Sequence, residues 1–241
     1  MLGNDARERI IVALDCDRER ALQLADALSG HARWLKVGMT LFYAEGPSIV
    51  QELRERGFKV FLDLKFHDIP FQVQGAARSA ALAGADLLSV HGLGGGAMLS
   101  CCRAGADEAA EVRGERPRLV AITVLTSMNQ DALESIGLSC PVAQEAERLA
   151  RLAGDSGIDG VVCSPREAAE MRALLGPDAL VVTPGVRPAG AALGDQSRVA
   201  TPAAAIGAGA SHIVVGRPIT GSDDPVAAYE AIVSELASEV E

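Results

Sequence analysis

The sequence predicts an α/β fold, a (β/α)8 barrel of the TIM type, on three observations. Short β-branched runs alternate with Ala/Leu/Glu/Arg-rich helical stretches along the whole chain. Eight such runs occur, at an average spacing of roughly 25–30 residues, as repeated strand–helix units require. A chain of 241 residues can bury the core of one large domain. A doubly wound open sheet is the alternative reading of the same pattern.

In chain order, the first strand is expected at Ile10–Asp15, where Ile10, Val12 and Leu14 share one face and Asp15 ends the other. A helix follows over Asp17–Leu28. The second strand is Trp34–Gly38, in which Leu35 and Val37 flank Lys36, and the helix Ser48–Arg56 follows. The third strand is Lys59–Lys65: Val60, Leu62 and Leu64 form its apolar half, while Asp63 and Lys65 share the opposite parity. Pro70 ends this run, and a helix is expected over Val73–Ala83. The remaining strands are Leu87–His91, Leu119–Leu125, Gly160–Ser164, Ala179–Gly185 and His212–Gly216, with a helix at Val142–Ala153. Gly57, Gly84 and Gly157 fall where helix C-caps belong. Residues 188–200 are the least regular stretch and read as a long loop after the seventh strand. No linker or repeat divides the chain, so residues 1–241 are expected to form one barrel domain.

Composition narrows the function. Apolar residues make up 49% of the chain, which excludes a disordered protein. Aromatics are only 3% and the formal charge is −10, both against nucleic acid or an anionic membrane as partner. Any anionic ligand therefore needs a local basic site. The five cysteines, Cys16, Cys101, Cys102, Cys140 and Cys163, show no zinc spacing and read as reduced thiols. The polar N-terminus lacks a signal-peptide core, and no apolar run approaches the roughly 20 residues that span a bilayer. A soluble, cytoplasmic protein is expected.

The chemistry concentrates at strand ends. Apolar residues take the helix-facing parity of the first three strands and a charge takes the barrel-facing parity in each. The resulting set is Asp15, Lys36, Asp63 and Lys65, with Asp68 close behind. Its mixed signs suit a mutually compensating network that holds a lysine ready to donate a proton. A second constellation comprises Pro184-Gly-Val-Arg187, Gly194-Asp-Gln-Ser-Arg198 and Val214-Val-Gly-Arg-Pro-Ile-Thr220. It falls after the seventh and eighth strands, where barrels often bind phosphate. There Gly216 lets the backbone come close and Arg217 offers a forked donor. The Asp and His residues show no metal-ligand spacing. His67 and His91 read as structural, Gly92–Gly96 as a turn rather than a phosphate cradle, and Cys101-Cys102 as helix packing.

These residues resemble the orotidine 5'-phosphate decarboxylase family. The likeness runs from Ala13-Leu-Asp15 to Gly216-Arg-Pro-Ile-Thr220, and Asp63-Leu-Lys-Phe-His-Asp-Ile-Pro70 is its most specific part. Leu125-Thr-Ser-Met128, Pro184-Gly-Val-Arg187, Gly194-Asp-Gln196 and Val215-Gly-Arg-Pro-Ile-Thr220 match in order. The resemblance implies conversion of orotidine 5'-phosphate to UMP in pyrimidine synthesis, without metal or organic cofactor. It makes Lys65 the proton donor, places Asp63 beside the substrate carboxylate, and has Asp68 complete the array from the neighbouring subunit of a homodimer. Asp15 and Lys36 would hold the ribose and orient the network. Thr126, with or without Ser127, would meet the pyrimidine. Gln196, on a mobile loop around 188–200, would bind phosphate with Gly216 and Arg217, and Arg187 would contribute nearby. Ile69 and Gln72 join the implied substrate-binding set. Two departures stand out: Phe71-Gln72 replaces the frequent Asn-Thr, and His91-Gly-Leu-Gly-Gly-Gly96 replaces a more usual His-Ala-Ser-Gly-Gly.

Two other functions fit parts of the pattern. A related sugar-phosphate decarboxylase or aldolase would share Asp-x-Lys-x-x-Asp but use a divalent cation. A non-catalytic nucleotide-binding barrel would keep Gln196 and Arg217 without needing Asp63, Lys65 and Asp68 together.

Overall fold

The computed structural model describes residues 6–188 and 200–238. Within them, eight parallel strands close into a barrel, each bonded to the next and β8 to β1. The strands are β1 (Ile10–Leu14), β2 (Trp34–Gly38), β3 (Lys59–Phe66), β4 (Leu87–His91), β5 (Arg118–Ile122), β6 (Gly160–Val162), β7 (Leu180–Pro184) and β8 (His212–Val215). Closure by the β1–β8 pairing, with Val12 against Val215, rules out the open sheet.

Strand parity sorts the core as the pattern predicts. Ile11, Ala13, Trp34, Phe61, Leu87, Val120, Val182 and Val214 pack inside the barrel. Ile10, Val12, Leu14, Leu35, Val37, Val60 and Leu62 face the helices. Those helices include Arg18–Leu28, Ser48–Glu55, Pro70–Leu82, Gly95–Arg113, Val142–Asp155, Ala168–Leu175 and Pro225–Ala237. Gly57, Gly84 and Gly157 each follow a helix with positive φ (89°, 112° and 78°), the left-handed turn that glycine adopts without a Cβ clash.

Several boundaries differ from expectation for local reasons. β5 ends at Ile122 rather than Leu125, and the Thr123 hydroxyl turns to donate to the Val162 carbonyl at 3.0 Å. β6 ends at Val162 rather than Ser164, because Ser164 caps the 3-10 turn Pro165–Glu167 in a reciprocal capping box. The helix expected from Val73 begins at Pro70, which ends the preceding run by occupying the first helical turn, where its missing N–H costs nothing.

At the amino-terminal end of the barrel, His212 is buried and meets Trp34 edge-on, ring centroids 5.8 Å apart. Burial first, then the cations of Lys59, Arg9 and Arg118, push its pKa down from 6.5 to about 4. Between those values the unfolded chain binds a proton that the folded chain does not. Stability therefore falls as pH drops through that window, by up to about 3 kcal/mol. Urea midpoints at neutral pH and near pH 4.5 should show a smaller acid loss in His212→Phe than in the wild type. An equal loss in both would remove His212 from the acid sensitivity.

Candidate active site

Register explains how four charges meet at the carboxyl ends of β1–β3. Ala13 pairs with Lys36, and Gly38 pairs with Asp63. Lys36 thus starts below Asp15 on one side and Asp63 on the other, and its long side chain rises between them. Its Nζ lies 2.9 Å from Asp15 Oδ1 and 3.7 Å from Asp63 Oδ2. Lys65 Nζ donates to the same Asp63 Oδ2 at 2.8 Å. The result is a chain of alternating sign, Asp15–Lys36–Asp63–Lys65.

Burial grades along this chain. The side chains of Lys36 and Asp63 are 9% and 12% exposed, that of Lys65 29% and that of Asp15 68%. An isolated charge at the depth of Asp63 would be costly. Burial pushes its pKa up, but the ammoniums of Lys36 and Lys65 and hydrogen bonds from Lys65 and Ser89 outweigh that. The net is below the usual carboxylate value. Asp63 is an anion at neutral pH, and Lys65 ends the array as a cation facing the cavity.

That cavity has a volume of about 610 Å³. Asp15, Lys36, Asp63 and Lys65 line one side, and Thr126, Arg187, Gly216 and Arg217 join them from the ends of β5, β7 and β8. Thr126 lines it and Ser127 does not. Gly216 lies over the first strand: a Cβ there would stand 3.6 Å from that of Ala13 and 3.9 Å from Asp15 Oδ2. Arg187 is buried, and its backbone N–H donates to the Ala200 carbonyl at 3.0 Å. Anionic and cationic groups from β1–β3 thus share one cavity with two guanidinium residues from the ends of β7 and β8. The arrangement can anchor an anionic group with the guanidinium residues while an ammonium meets the reacting centre.

Three expected residues are not brought to the cavity within one chain. Asp68, Ile69 and Gln72 are exposed around the start of the helix Pro70–Leu82, and none lines it. The Asp68 carboxylate accepts from the Ile69 N–H at 2.7 Å. Gln196, with Gly194, Asp195 and Arg198, lies outside the described residues, as does most of the loop expected around 188–200.

Two contributors escaped sequence reasoning. Ser89 is fully buried in β4 and donates to Asp63 Oδ1 at 2.8 Å. Its signal was parity: a small polar residue on the same face as Leu87 and His91. Gly38 lines the cavity, where a Cβ would come within 3.1 Å of Lys36 Nζ and 3.2 Å of Asp15 Oδ1. His67 and His91 stack on each other, centroids 5.0 Å apart, and neither lines the cavity. His91 Nδ1 accepts from the Leu93 N–H at 3.4 Å, and burial, His67 and Lys65 lower its pKa to about 4. A neutral, hydrogen-bonding histidine is the outcome.

Known proteins share this architecture and sequence. Residues 8–232 match the family model described as "Orotidine 5'-phosphate decarboxylase / HUMPS family". The chain is 52% identical to the orotidine 5'-phosphate decarboxylase of Alkalilimnicola ehrlichii over 98% of this chain and 99% of that one. It is 48% identical to that of Moorella thermoacetica, over 98% and 95% of the two chains. The crystal structure of orotidine 5'-phosphate decarboxylase from Lactobacillus acidophilus superposes with a TM-score of 0.85 at 41% identity, covering 95% of this chain and 98% of that one.

Proposed function

The chain belongs to the orotidine 5'-phosphate decarboxylase / HUMPS family, and on that premise we propose how its own residues carry the reaction. It decarboxylates orotidine 5'-phosphate to UMP, a step of pyrimidine synthesis. The observation that carries the residue assignment is the alternating Asp15–Lys36–Asp63–Lys65 chain, buried at Lys36 and Asp63, with its terminal ammonium facing the cavity.

The C6–carboxylate bond breaks, carbon dioxide leaves, and the electron pair stays on C6 in the ring plane. No π-electron sink is aligned to receive it. Lys65 Nζ, fixed by Asp63, stabilises the developing charge and then transfers a proton to C6; the neutral amine regains its proton from solvent. Asp63 both orients Lys65 and stands beside the departing carboxylate. Asp15 and Lys36 hold the ribose hydroxyls, Thr126 meets the pyrimidine, and Arg187, Gly216 and Arg217, with Gln196, take the phosphate. Phosphate binding far from C6 supplies energy that positions the reacting centre.

Asp68, Ile69 and Gln72 act in this reading from a second copy of the chain, the whole chain being one barrel domain. In support, four of the seven exposed large apolar residues among those described, Met39, Tyr43, Ile69 and Phe71, follow β2 and β3 at the end of the barrel that bears the cavity. Apolar side chains so placed suit burial against a partner. The cytoplasm is the proposed compartment: an odd number of cysteines without Cys-x-x-Cys spacing suits reduced thiols. No helix of the described residues is long and apolar enough to cross a membrane.

The direct test is the loss of orotidylate absorbance when purified protein is added, with UMP as the product. Chelator separates this reading from a cation-dependent sugar-phosphate reaction in the same family. Turnover of orotidylate is expected to survive excess EDTA with less than about a twofold change. A loss restored by a divalent cation would overturn the metal-free mechanism. Tight nucleotide binding without UMP release would instead mark a non-catalytic barrel.

A further inference from the structure

Lys65 is the one non-glycine residue among those described with a positive φ, 51°. That left-handed conformation is strained for an L residue with a side chain, and it persists only where the surroundings impose it. The register of β3 on β4 locates the cause. Leu62 pairs with Leu88, but the next pairing is Phe66 with Val90. Residues 63–65 therefore bulge against the level of Ser89.

Ser89 closes this bulge with one hydroxyl. Its Oγ accepts from the Lys65 backbone N–H at 2.9 Å and donates to Asp63 Oδ1 at 2.8 Å. The other Asp63 oxygen accepts from Lys65 Nζ at 2.8 Å. Lys65 is thus held at both ends, by its backbone nitrogen and by its ammonium, and both restraints run through Asp63. A hydroxyl has one proton, so accepting from one partner and donating to the other sets its orientation. Ser89 is fully buried, leaving no water to replace either bond.

We propose that Ser89 is a positioning residue for the decarboxylation, locking the bulge so that the Lys65 ammonium and the Asp63 carboxylate hold their reactive geometry. The proposal rests on Lys65 being the proton donor. It assigns Ser89 no contact with substrate. Besides Ser89, the charged groups facing Asp63 are Lys36 from β2 and Lys65 on its own strand, with Asp15 of the β1 end behind Lys36. His91, on the strand of Ser89, lies within electrostatic reach of Lys65 and stacks on His67. Removing the Ser89 donor withdraws a hydrogen bond from ionised Asp63, so the carboxylate protonates at higher pH.

The test compares Ser89→Ala, Ser89→Thr and Lys65→Ala in steady-state turnover of orotidylate, with UMP affinity and thermal stability measured alongside. In Ser89→Ala, kcat is expected to fall about 10- to 100-fold, with KM and UMP affinity changed less than about threefold. The acid limb of kcat/KM moves to higher pH, and Ser89→Thr, which keeps the hydroxyl, recovers most of the rate. A folded Ser89→Ala with wild-type kcat and acid limb, beside an inactive Lys65→Ala, overturns the role of Ser89 alone. Near-normal turnover by Lys65→Ala removes the proton-donor assignment and the Ser89 role with it. If Ser89→Ala does not fold, Ser89→Cys gives the same comparison at similar volume. If neither folds while Ser89→Thr does, Ser89 serves folding only and the positioning role is overturned.

Discussion

Lys65→Ala should lower the rate of orotidylate decarboxylation on the order of 10⁴-fold or more, while UMP still binds. The magnitude follows from two losses at one atom. A positioned proton donor contributes about 10²–10⁴-fold, and a preorganised charge at the developing anion about 10²–10³-fold. The two overlap because the same ammonium supplies both, so the loss is less than their full product. UMP affinity is expected to be largely spared because the variant keeps Arg187 and Arg217, the proposed phosphate-binding residues of the cavity. Product affinity is read by titration and the chemical step by single-turnover absorbance. The variant also leaves Asp63 with Lys36 as its remaining cationic partner, 3.7 Å away. Its carboxylate is then less well compensated, and some loss of thermal stability accompanies the loss of rate. Near-normal turnover in a folded variant would end the assignment.

Mixing two inactive chains, Lys65→Ala and Asp68→Asn, should restore activity. If Asp68 completes the partner's site, each hybrid dimer has one site with both lesions and one with neither. Random reassortment in equal amounts makes half the dimers hybrid, so about a quarter of all sites are intact. If Asp68 served its own chain, every site in a hybrid would carry one lesion and nothing would return. The placement of Asp68 motivates the experiment: it lies two residues beyond β3, yet it is exposed, bonded to its own neighbour's N–H and absent from the cavity lining. Mixed dimers verified by differential tags, with no activity above either parent, would count decisively against a shared site.

Much of this molecule was legible before folding because a strand has a two-residue period. Ile10, Val12 and Leu14 alternate with Ile11 and Ala13, and the same alternation around Lys36 and Asp63 put the charges on the barrel side. Lys65 is instructive, since parity predicted its face although its backbone is not regularly extended. The bulge at 63–65 moves it out of the ladder, and Ser89 and Asp63 hold it where the alternation would have pointed. Ser89 carried only a weak mark in the chain, a serine among apolar residues. Its importance depends on which two atoms its hydroxyl meets, and both belong to another strand. Gly38 is similar: its lack of a side chain matters because Lys36 and Asp15 meet beside it.

Local periodicity, then, set the strand–helix alternation, the face of each strand and the identity of the charged set, because each depends on residues a few positions apart. Whether the sheet closed depended on pairing β8 with β1, about two hundred residues away. That closure gathers Thr126, Arg187, Gly216 and Arg217 around the same cavity as the charge chain. The register of β2 between β1 and β3 decides that Lys36 lies between two carboxylates rather than beside one, and Asp68 does not line the cavity that Lys65 lines. The physical reason is that covalent order and side-chain period specify direction, whereas electrostatic and hydrogen-bonding function depends on distance, which only the packed chain defines.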